Sequence, residues 1–448
     1  MTIIKGFSQG RLTATALACL PPAHAYQARR ALMPTPLPLL TDAPDWRECP
    51  HCGQFCHVGP RRAGMVAECS RCGEPLWRMR HADINFPLAC ATAALLFYLF
   101  ALAAPFLEIQ AYGRFSLARL DTGPAQLLAQ GWGLVAALVF AVTMLAPAAK
   151  LAILLLTLGG HRVLPPRLLK TLFRWYVPLS PWAMIDVYLL GFLVAYTRLS
   201  GMASVHLDTA LYALIGYMVA MAAADSCLDI EALWRRLDEL DEHTPPTAQG
   251  ELIGCDSCGL PNHAAEGEPC RRCHAPLRRR KKNSVSRAWA LVLAAALLYI
   301  PANIYPFMVV TSLAKTQGYT IMHGIVELAQ ARLWPLALLV FFASITIPLM
   351  KLLIMVYVLL MTQFRRTGFL PGRARAYRLI DFIGRWSMID VFMVSILAAL
   401  VRFGQFVNIQ ADLGAMCFAA VVVLTIFAVN AFDPRLMWDI LDEAEPQA

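Results

Sequence analysis

Eight long apolar runs dominate the chain, at about residues 86–106, 132–158, 178–198, 208–227, 288–309, 334–361, 381–402 and 411–430. Each approaches the ~20 residues a helix needs to cross bilayer hydrocarbon. The runs form two groups of four that match at a nearly constant offset. Pro105-Phe106 answers Pro306-Phe307, and Thr143, Pro147 and Lys150 answer Ser344, Pro348 and Lys351. Asp186 answers Asp390, and Trp234 answers Trp438. An even number of spans returns the chain to its starting side, so the two halves are parallel repeats. After the fourth run, Leu228, Ile230, Leu233, Trp234, Leu237 and Leu240 form a stripe at helical spacing. This predicts an amphipathic helix lying on the membrane or packed on a neighbouring domain.

Composition supports the pattern. The chain is 58% hydrophobic and 15% charged, well below the ~25% charged residues of soluble domains. The net charge of +9 sits in a few loops. Between the second and third runs lie Arg162, Arg167, Lys170 and Arg174 in one half, and Arg365, Arg366, Arg373, Arg375, Arg378 and Arg385 in the other. The positive-inside rule then places these loops, both termini and the inter-repeat linker in the cytoplasm.

Of thirteen cysteines, eight fall in four Cys-x-x-Cys pairs. Cys49, Cys52, Cys69 and Cys72 precede the first group of runs, and Cys255, Cys258, Cys270 and Cys273 precede the second. Two such pairs can close one tetrahedral site, predicting one structural Zn2+ per ribbon. Cys56, His51 and His57 lie nearby as substitutes. A redox dithiol reading also fits the spacing, although a reducing cytoplasm favours metal.

The predicted architecture is mainly α, a polytopic membrane protein of two parallel repeats, each a cytoplasmic zinc ribbon plus a four-helix transmembrane module. The expected boundaries are a disordered tail at 1–45, ribbon 1 at 46–80, module 1 at 81–228, an amphipathic segment and linker at 229–250, ribbon 2 at 251–280, module 2 at 281–432 and a cytoplasmic tail at 433–448. Within the first segment, residues 12–25 hold a short apolar patch interrupted by Pro21-Pro22, too short for a secretory leader, and Met33 is an alternative start.

Charges inside the runs mark candidate chemistry. Lys150 lies roughly 12 Å from the end of its run at ~1.5 Å per residue, and Lys351 is placed alike. A Lys at that depth costs at least ~2.5 kcal/mol and is expected to face protein or water, unless its stem snorkels to the interface. Asp186 and Asp390 enter from the same side on the next run, predicting Lys150–Asp186 and Lys351–Asp390 pairs. Pro147 and Pro348 free the carbonyls of Thr143 and Ser344, whose hydroxyls help resatisfy a kinked turn. The second half holds further polar groups at Asn303, Thr311, Ser312, His323, Glu327 and Ser395. No phosphate-binding loop, zinc-protease motif or nucleophile elbow is present.

The two Cys sets, Gly384-Arg385-Trp386-Ser387-Met388-Ile389-Asp390-Val391-Phe392 and Phe432-Asp433-Pro434-Arg435 with Trp438-Asp439 resemble the paraquat-inducible protein A family, including its LetA-type members. The first half departs from this signature, with Ser180-Pro181 before Trp182. The resemblance implies a bacterial inner-membrane protein, not an enzyme, that passes phospholipid between the bilayer and a periplasmic MCE-domain tunnel protein and supports envelope integrity. Three other readings are a stand-alone proton-coupled exporter of small toxic solutes, a membrane redox enzyme, and nucleic-acid binding through Arg278–Lys282. The last is not expected, because that basic run is explained by topology.

Overall fold

The computed structural model describes residues 19–20, 46–57, 66–78, 84–111, 114–160, 164–199, 204–240, 251–312, 315–366, 368–400 and 407–444. They divide into a unit built from residues 82–243 and 280–433 and a unit built from residues 1–81, 244–279 and 434–448. Most of the segment expected to be a tail, residues 1–45, lies outside the described residues.

The larger unit is helical and membrane-spanning. Its first module contains α1 (Asn85–Ala103), α2 (Thr122–Ala129), α3 (Gly133–Phe140), α4 (Ala146–Gly159), α5 (Pro166–Phe173), α6 (Tyr176–Leu179), α7 (Ile185–Leu199), α8 (Thr209–Cys227) and α9 (Ile230–Glu239). The second contains α10 (Ser284–Ile304), α11 (Ile321–Gln330), α12 (Trp334–Phe341), α13 (Ile347–Gln363), α14 (Leu370–Ile383), α15 (Ile389–Leu400) and α16 (Leu413–Ala431). In hydrocarbon every backbone group must be satisfied within the protein, so these apolar, Ala- and Leu-rich runs become helices. Polar residues set their starts. The Asp208 carboxylate accepts the Thr209 N–H at 2.6 Å at α8, and Thr320 Oγ1 accepts the His323 N–H at 3.3 Å at α11.

Seven helical stretches among the described residues are long and apolar enough to cross a membrane. The remaining expected run, about 381–402, is divided instead. A 3-10 turn, Gly384–Met388, separates α14 from α15, and residues 401–406 lie outside the described residues. The third run of module 1 is broken at the same place, by a 3-10 turn at Ser180–Trp182 before α7.

Each module also carries a three-stranded antiparallel sheet that the hydrophobic pattern did not predict. Leu107–Ala111 lies between Arg114–Ala118 and Ser204–Leu207, and Met308–Ser312 lies between Lys315–Tyr319 and Val407–Ala411. Both sheets stand at the bundle end opposite the basic loops. They tie the exit of the first helix to the entry of the fourth, through Leu107 with Leu207 and Met308 with Ala411.

The modules meet where α7 crosses α15. A Cβ at Gly191 would stand 3.0 Å from the Ile389 carbonyl oxygen and the Phe392 Cβ, so glycine permits this close helix approach. Tyr188 packs edge-on against Phe392 there, at 5.6 Å between ring centroids. The amphipathic helix α9 packs against its own membrane module. Its Asp229 cap accepts the Glu231 and Ala232 N–H groups at 3.0 Å, and its stripe folds back onto α5. Trp234 meets Phe173 at 4.9 Å, and Lys170 pairs with Asp238 at 3.0 Å.

The smaller unit contains both ribbons and α17 (Leu436–Ala444). The Glu48 carboxylate of ribbon 1 accepts the Gly254 N–H of ribbon 2 at 2.8 Å. Arg435 spans both, donating to Glu48 Oε1 at 3.1 Å and to Asp256 Oδ1 at 2.9 Å. Trp438 is buried, with the Arg71 guanidinium 5.1 Å from its ring.

Candidate functional site

Two kinds of site emerge, one built of thiols and one of polar groups among the membrane helices. Each ribbon gathers its four cysteines, buried, with all sulfurs within 4.8 Å of one another. Cys49 and Cys72 stand 3.5 Å apart, as do Cys52 and Cys69, and Cys255 and Cys273; Cys258 and Cys270 are 3.6 Å apart. A tetrahedral ion with metal–sulfur bonds of about 2.3 Å implies edges of about 3.8 Å, so each set fits a metal ion. The cysteines are free thiols, not disulfides. Cys56 is buried and donates to Cys69 Sγ at 3.9 Å from outside the four-sulfur set.

The knuckles share one backbone recipe. The N–H of Cys49, Cys69, Cys255 and Cys270 each reaches a carbonyl five residues on, at 2.8–3.0 Å. Gly53, Gly73 and Gly259 follow their pairs with φ near +70°, the left-handed region that glycine enters freely. In the fourth knuckle His274 adopts that conformation, at φ +56°. Burial and the neighbouring Cys255, Cys270 and Cys273 push the Cys258 thiol up. Hydrogen bonds from Cys255, Cys258 and Cys273 hold Cys270 down. Four such sulfurs cannot all ionise side by side without a cation, which is the service a bound metal performs.

The second site lies at the broken third runs. In each module the second run contains a π-helical turn, at Ala141–Leu145 and Phe342–Thr346, just before Pro147 and Pro348. Thr143 Oγ1 donates to the Val139 carbonyl at 2.7 Å, and Ser344 Oγ donates to Val340 at 2.6 Å. A tyrosine of the first helix completes the turn, Tyr98 donating to Met144 O at 2.7 Å and Tyr299 to Ile345 O at 3.2 Å. Lys150 and Lys351 follow the prolines and are 5% and 1% exposed.

Beyond this point the modules diverge. Lys150 Nζ donates to Asp225 Oδ2 at 2.6 Å and to Ser180 Oγ at 3.0 Å. Tyr176 donates to the other Asp225 oxygen, and its ring lies 5.5 Å from the ammonium. The acid of Lys150 is therefore Asp225 on α8, not Asp186. Asp186 sits in the first turn of α7, and Asp390 is the second residue of α15. The first-turn position of Asp186 places an acid where a helix dipole favours negative charge, which accounts for it without a lysine partner. The Asp390 side chain lies outside the described residues.

In module 2 the position on α16 that matches Asp225 is Val429, and Tyr377, which matches Tyr176, donates to the Val429 carbonyl at 2.8 Å. Among the described residues no carboxylate lies within ion-pair distance of Lys351, whose ammonium donates to Gly384 O at 3.3 Å. Instead Lys351 lines a cavity of about 230 Å3 between the modules. Its walls are Pro181, Trp182 and Met184 from module 1, and Ile380, Asp381, Phe382, Gly384, Ile426, Val429 and Asn430 from module 2.

The remaining polar residues of the second half are dispersed. Thr311 and Ser312 belong to the sheet, His323 and Glu327 lie exposed on α11, and Asn303 donates to Tyr299 O at 2.8 Å. Ser395 is buried on α15 and does not line the cavity. Sequence reasoning missed Asp225, Tyr98, Tyr299 and Asp381. The tyrosines carried a signal, since they match across the repeat, as their carbonyl acceptors do.

The family model for paraquat-inducible protein A matches residues 84–238 and again 285–442. The chain belongs to the paraquat-inducible protein A family. The two matched segments coincide with the two membrane modules and their following helices. Within this family the chain is 31% identical over 405 residues to an intermembrane transport protein, PqiA, of Escherichia coli K12, covering 89% of this chain and 96% of that one. It is 30% identical over 399 residues to lipophilic envelope-spanning tunnel protein A of the same organism, covering 88% and 91%. A probable intermembrane transport protein of Haemophilus influenzae is 26% identical over 384 residues, covering 84% and 91%. No solved structure matches the chain.

Proposed function

We propose that this member of the paraquat-inducible protein A family is a non-enzymatic inner-membrane transport component that moves phospholipid between the bilayer and a periplasmic MCE-type tunnel protein, supporting envelope integrity. The observation that carries the reading is the cavity between the modules, with a buried lysine on its wall and broken helices on two of its sides. Two relatives that align over most of their length bear the name intermembrane transport protein, and a third that of an envelope-spanning tunnel protein. Basic loops, ribbons and termini face the cytoplasm in this reading, and the two sheets face the periplasm and the tunnel partner. The metal is zinc, held by Cys49, Cys52, Cys69 and Cys72 and by Cys255, Cys258, Cys270 and Cys273. It ties the ribbon loops together and takes no part in chemistry.

In the transport site, Lys351 offers a cation at the membrane depth where a lipid phosphate would otherwise lose its water. The π-helical turn at Ser344, with Pro348, gives α13 a bend beside it, and Asp390 opens the helix that follows the break. Lys150, neutralised by Asp225, leaves Thr143, Asp186 and module 1 in a supporting role. Photocrosslinking amino acids placed at Phe382 or Trp182, followed by mass spectrometry of captured molecules, test the reading. Recovery of phospholipid is expected, and consistent recovery of none would overturn it.

A further inference from the structure

The cavity between the modules lies at one end of the bundle. Ile426 and Asn430 line it from the last turns of α16, within ~8 Å of that helix's end at ~1.5 Å per residue. Trp182 lines it from just before α7, and Phe382 from the end of α14. The helices α7 and α14 both follow basic loops, and α16 runs from its sheet toward the same end. The cavity therefore stands in the half of the bilayer beside the basic loops. Its rim is exposed at Pro181, Asp381, Phe382 and Asn430, and its floor is buried at Met184 and Lys351. Outside the rim Phe427 is exposed and meets Trp182 at 5.6 Å between ring centroids. The space of about 230 Å3 equals roughly eight waters at ~30 Å3 each, room for a headgroup and not for acyl chains. Toward the sheets the same interface is filled. Val391, Phe392, Val394 and Leu397 of α15 are buried there, and the next cavity, lined by Leu127, Trp132, Val391 and Ala411, holds about 10 Å3, no more than one water.

We infer that the cavity exchanges phospholipid with the bilayer leaflet beside the basic loops, the cytoplasmic leaflet in the orientation given above. The inference rests on the lipid-transport reading and adds the leaflet to it. A phospholipid of that leaflet holds its headgroup level with the exposed rim and keeps its acyl chains against Phe382 and Phe427 while the phosphate moves inward to Lys351. A phospholipid of the other leaflet holds its headgroup level with the sheets, a hydrocarbon thickness of ~30 Å away, with the packed faces of α7 and α15 between it and the cavity. A water-soluble solute has no use for an apolar rim. One activity follows that loading from the opposite leaflet does not require: exchange with a partner at the sheets carries the headgroup across the membrane, past the contact of Gly191 with Phe392.

The test uses the full-length protein in two kinds of membrane vesicle. In one, added trypsin reaches the exposed Arg365 and Arg366 of the basic loop, and in the other it does not. A phospholipid with a small diazirine on its headgroup is added from outside and illuminated at once. Carrying its charge through hydrocarbon is costly, so it is still in the outer leaflet. Peptides holding Met184 and Lys351, the buried floor, are then quantified by mass spectrometry. Labelling roughly tenfold stronger is expected when the basic loops face out. Asn430→Trp narrows the rim and is expected to lower that labelling while thermal unfolding stays unchanged; the wild-type comparison decides alone where this variant does not fold. Equal labelling from the two sides, stronger labelling from the sheet side, or floor labelling unchanged by a folded Asn430→Trp overturns the leaflet inference and leaves lipid transport standing. Labelling from neither side overturns both.

Discussion

Two lysines at matching positions show how much a partner decides. Both are buried in apolar helices, and both were legible in the sequence as charges too deep to be accidental. The partner of Lys150 was not. Pairing by depth points from Lys150 to Asp186, yet the ammonium meets Asp225, 75 residues along the chain on α8. Depth along a helix is readable from spacing, but the direction a side chain faces is set by how four helices close around one another. Removing Asp225 should therefore be expensive. Asp225→Ala should destabilise the protein by about 3 kcal/mol, the low end for a broken buried pair because Asp225 is 37% exposed. The double change Lys150→Met with Asp225→Asn should recover most of that loss, as measured by thermal unfolding in detergent. Lys351→Met strands no described acid, so its unfolding temperature should stay near the wild-type value while lipid capture falls. A large loss of stability in Lys351→Met would show that the lysine is structural.

At the scale of elements, the apolar runs and four Cys-x-x-Cys pairs were legible because each carries a local signal. The strands were not. They are four or five residues long, and each sheet joins segments nearly a hundred residues apart, a pairing no local pattern encodes. The bend in the second run was anticipated from Pro147 and Pro348, but its form was not. It is a π-helical turn whose carbonyls are satisfied by a hydroxyl within the helix and a tyrosine from another. Tyr98→Phe leaves the Met144 carbonyl without that donor and should cost about 1–3 kcal/mol. The smaller cost is expected for Tyr299→Phe, whose bond is longer at 3.2 Å. Chemical denaturation of the two variants compares them, and equal costs near zero would mean that another group satisfies these carbonyls. The third runs, expected as continuous helices, are interrupted, because Ser180-Pro181 in one and Gly384 in the other favour turns at the level of the buried lysines.

Across the molecule, the repeat in sequence becomes a pair of unlike halves. Both modules share helix order, sheet topology, bend and break, and they differ where one acid is present or absent. The following helices differ as well: α9 folds back on its own membrane module, whereas α17 joins the ribbons. Arg435 reaches the residue before Cys49 and the residue after Cys255, so it supports a knuckle of each metal centre. Arg435→Ala should quicken metal loss to a colorimetric chelator at both centres together. Faster loss from one alone would mean that the ribbons hold their ions independently. Arg435→Lys should restore little, since a single ammonium cannot span two carboxylates as a guanidinium does.

The Arg435 bridge also bears on how the molecule is made. The ribbons lie at residues 46–78 and 251–279, and the residue that clasps them is synthesised after both membrane modules. During translation the first ribbon can bind its ion alone, and the second can follow, yet the clasp closes only once all the membrane helices have left the ribosome. A nascent or truncated chain would insert its helices and still present two unclasped ribbons, so ribbon closure reports that synthesis has passed the final span.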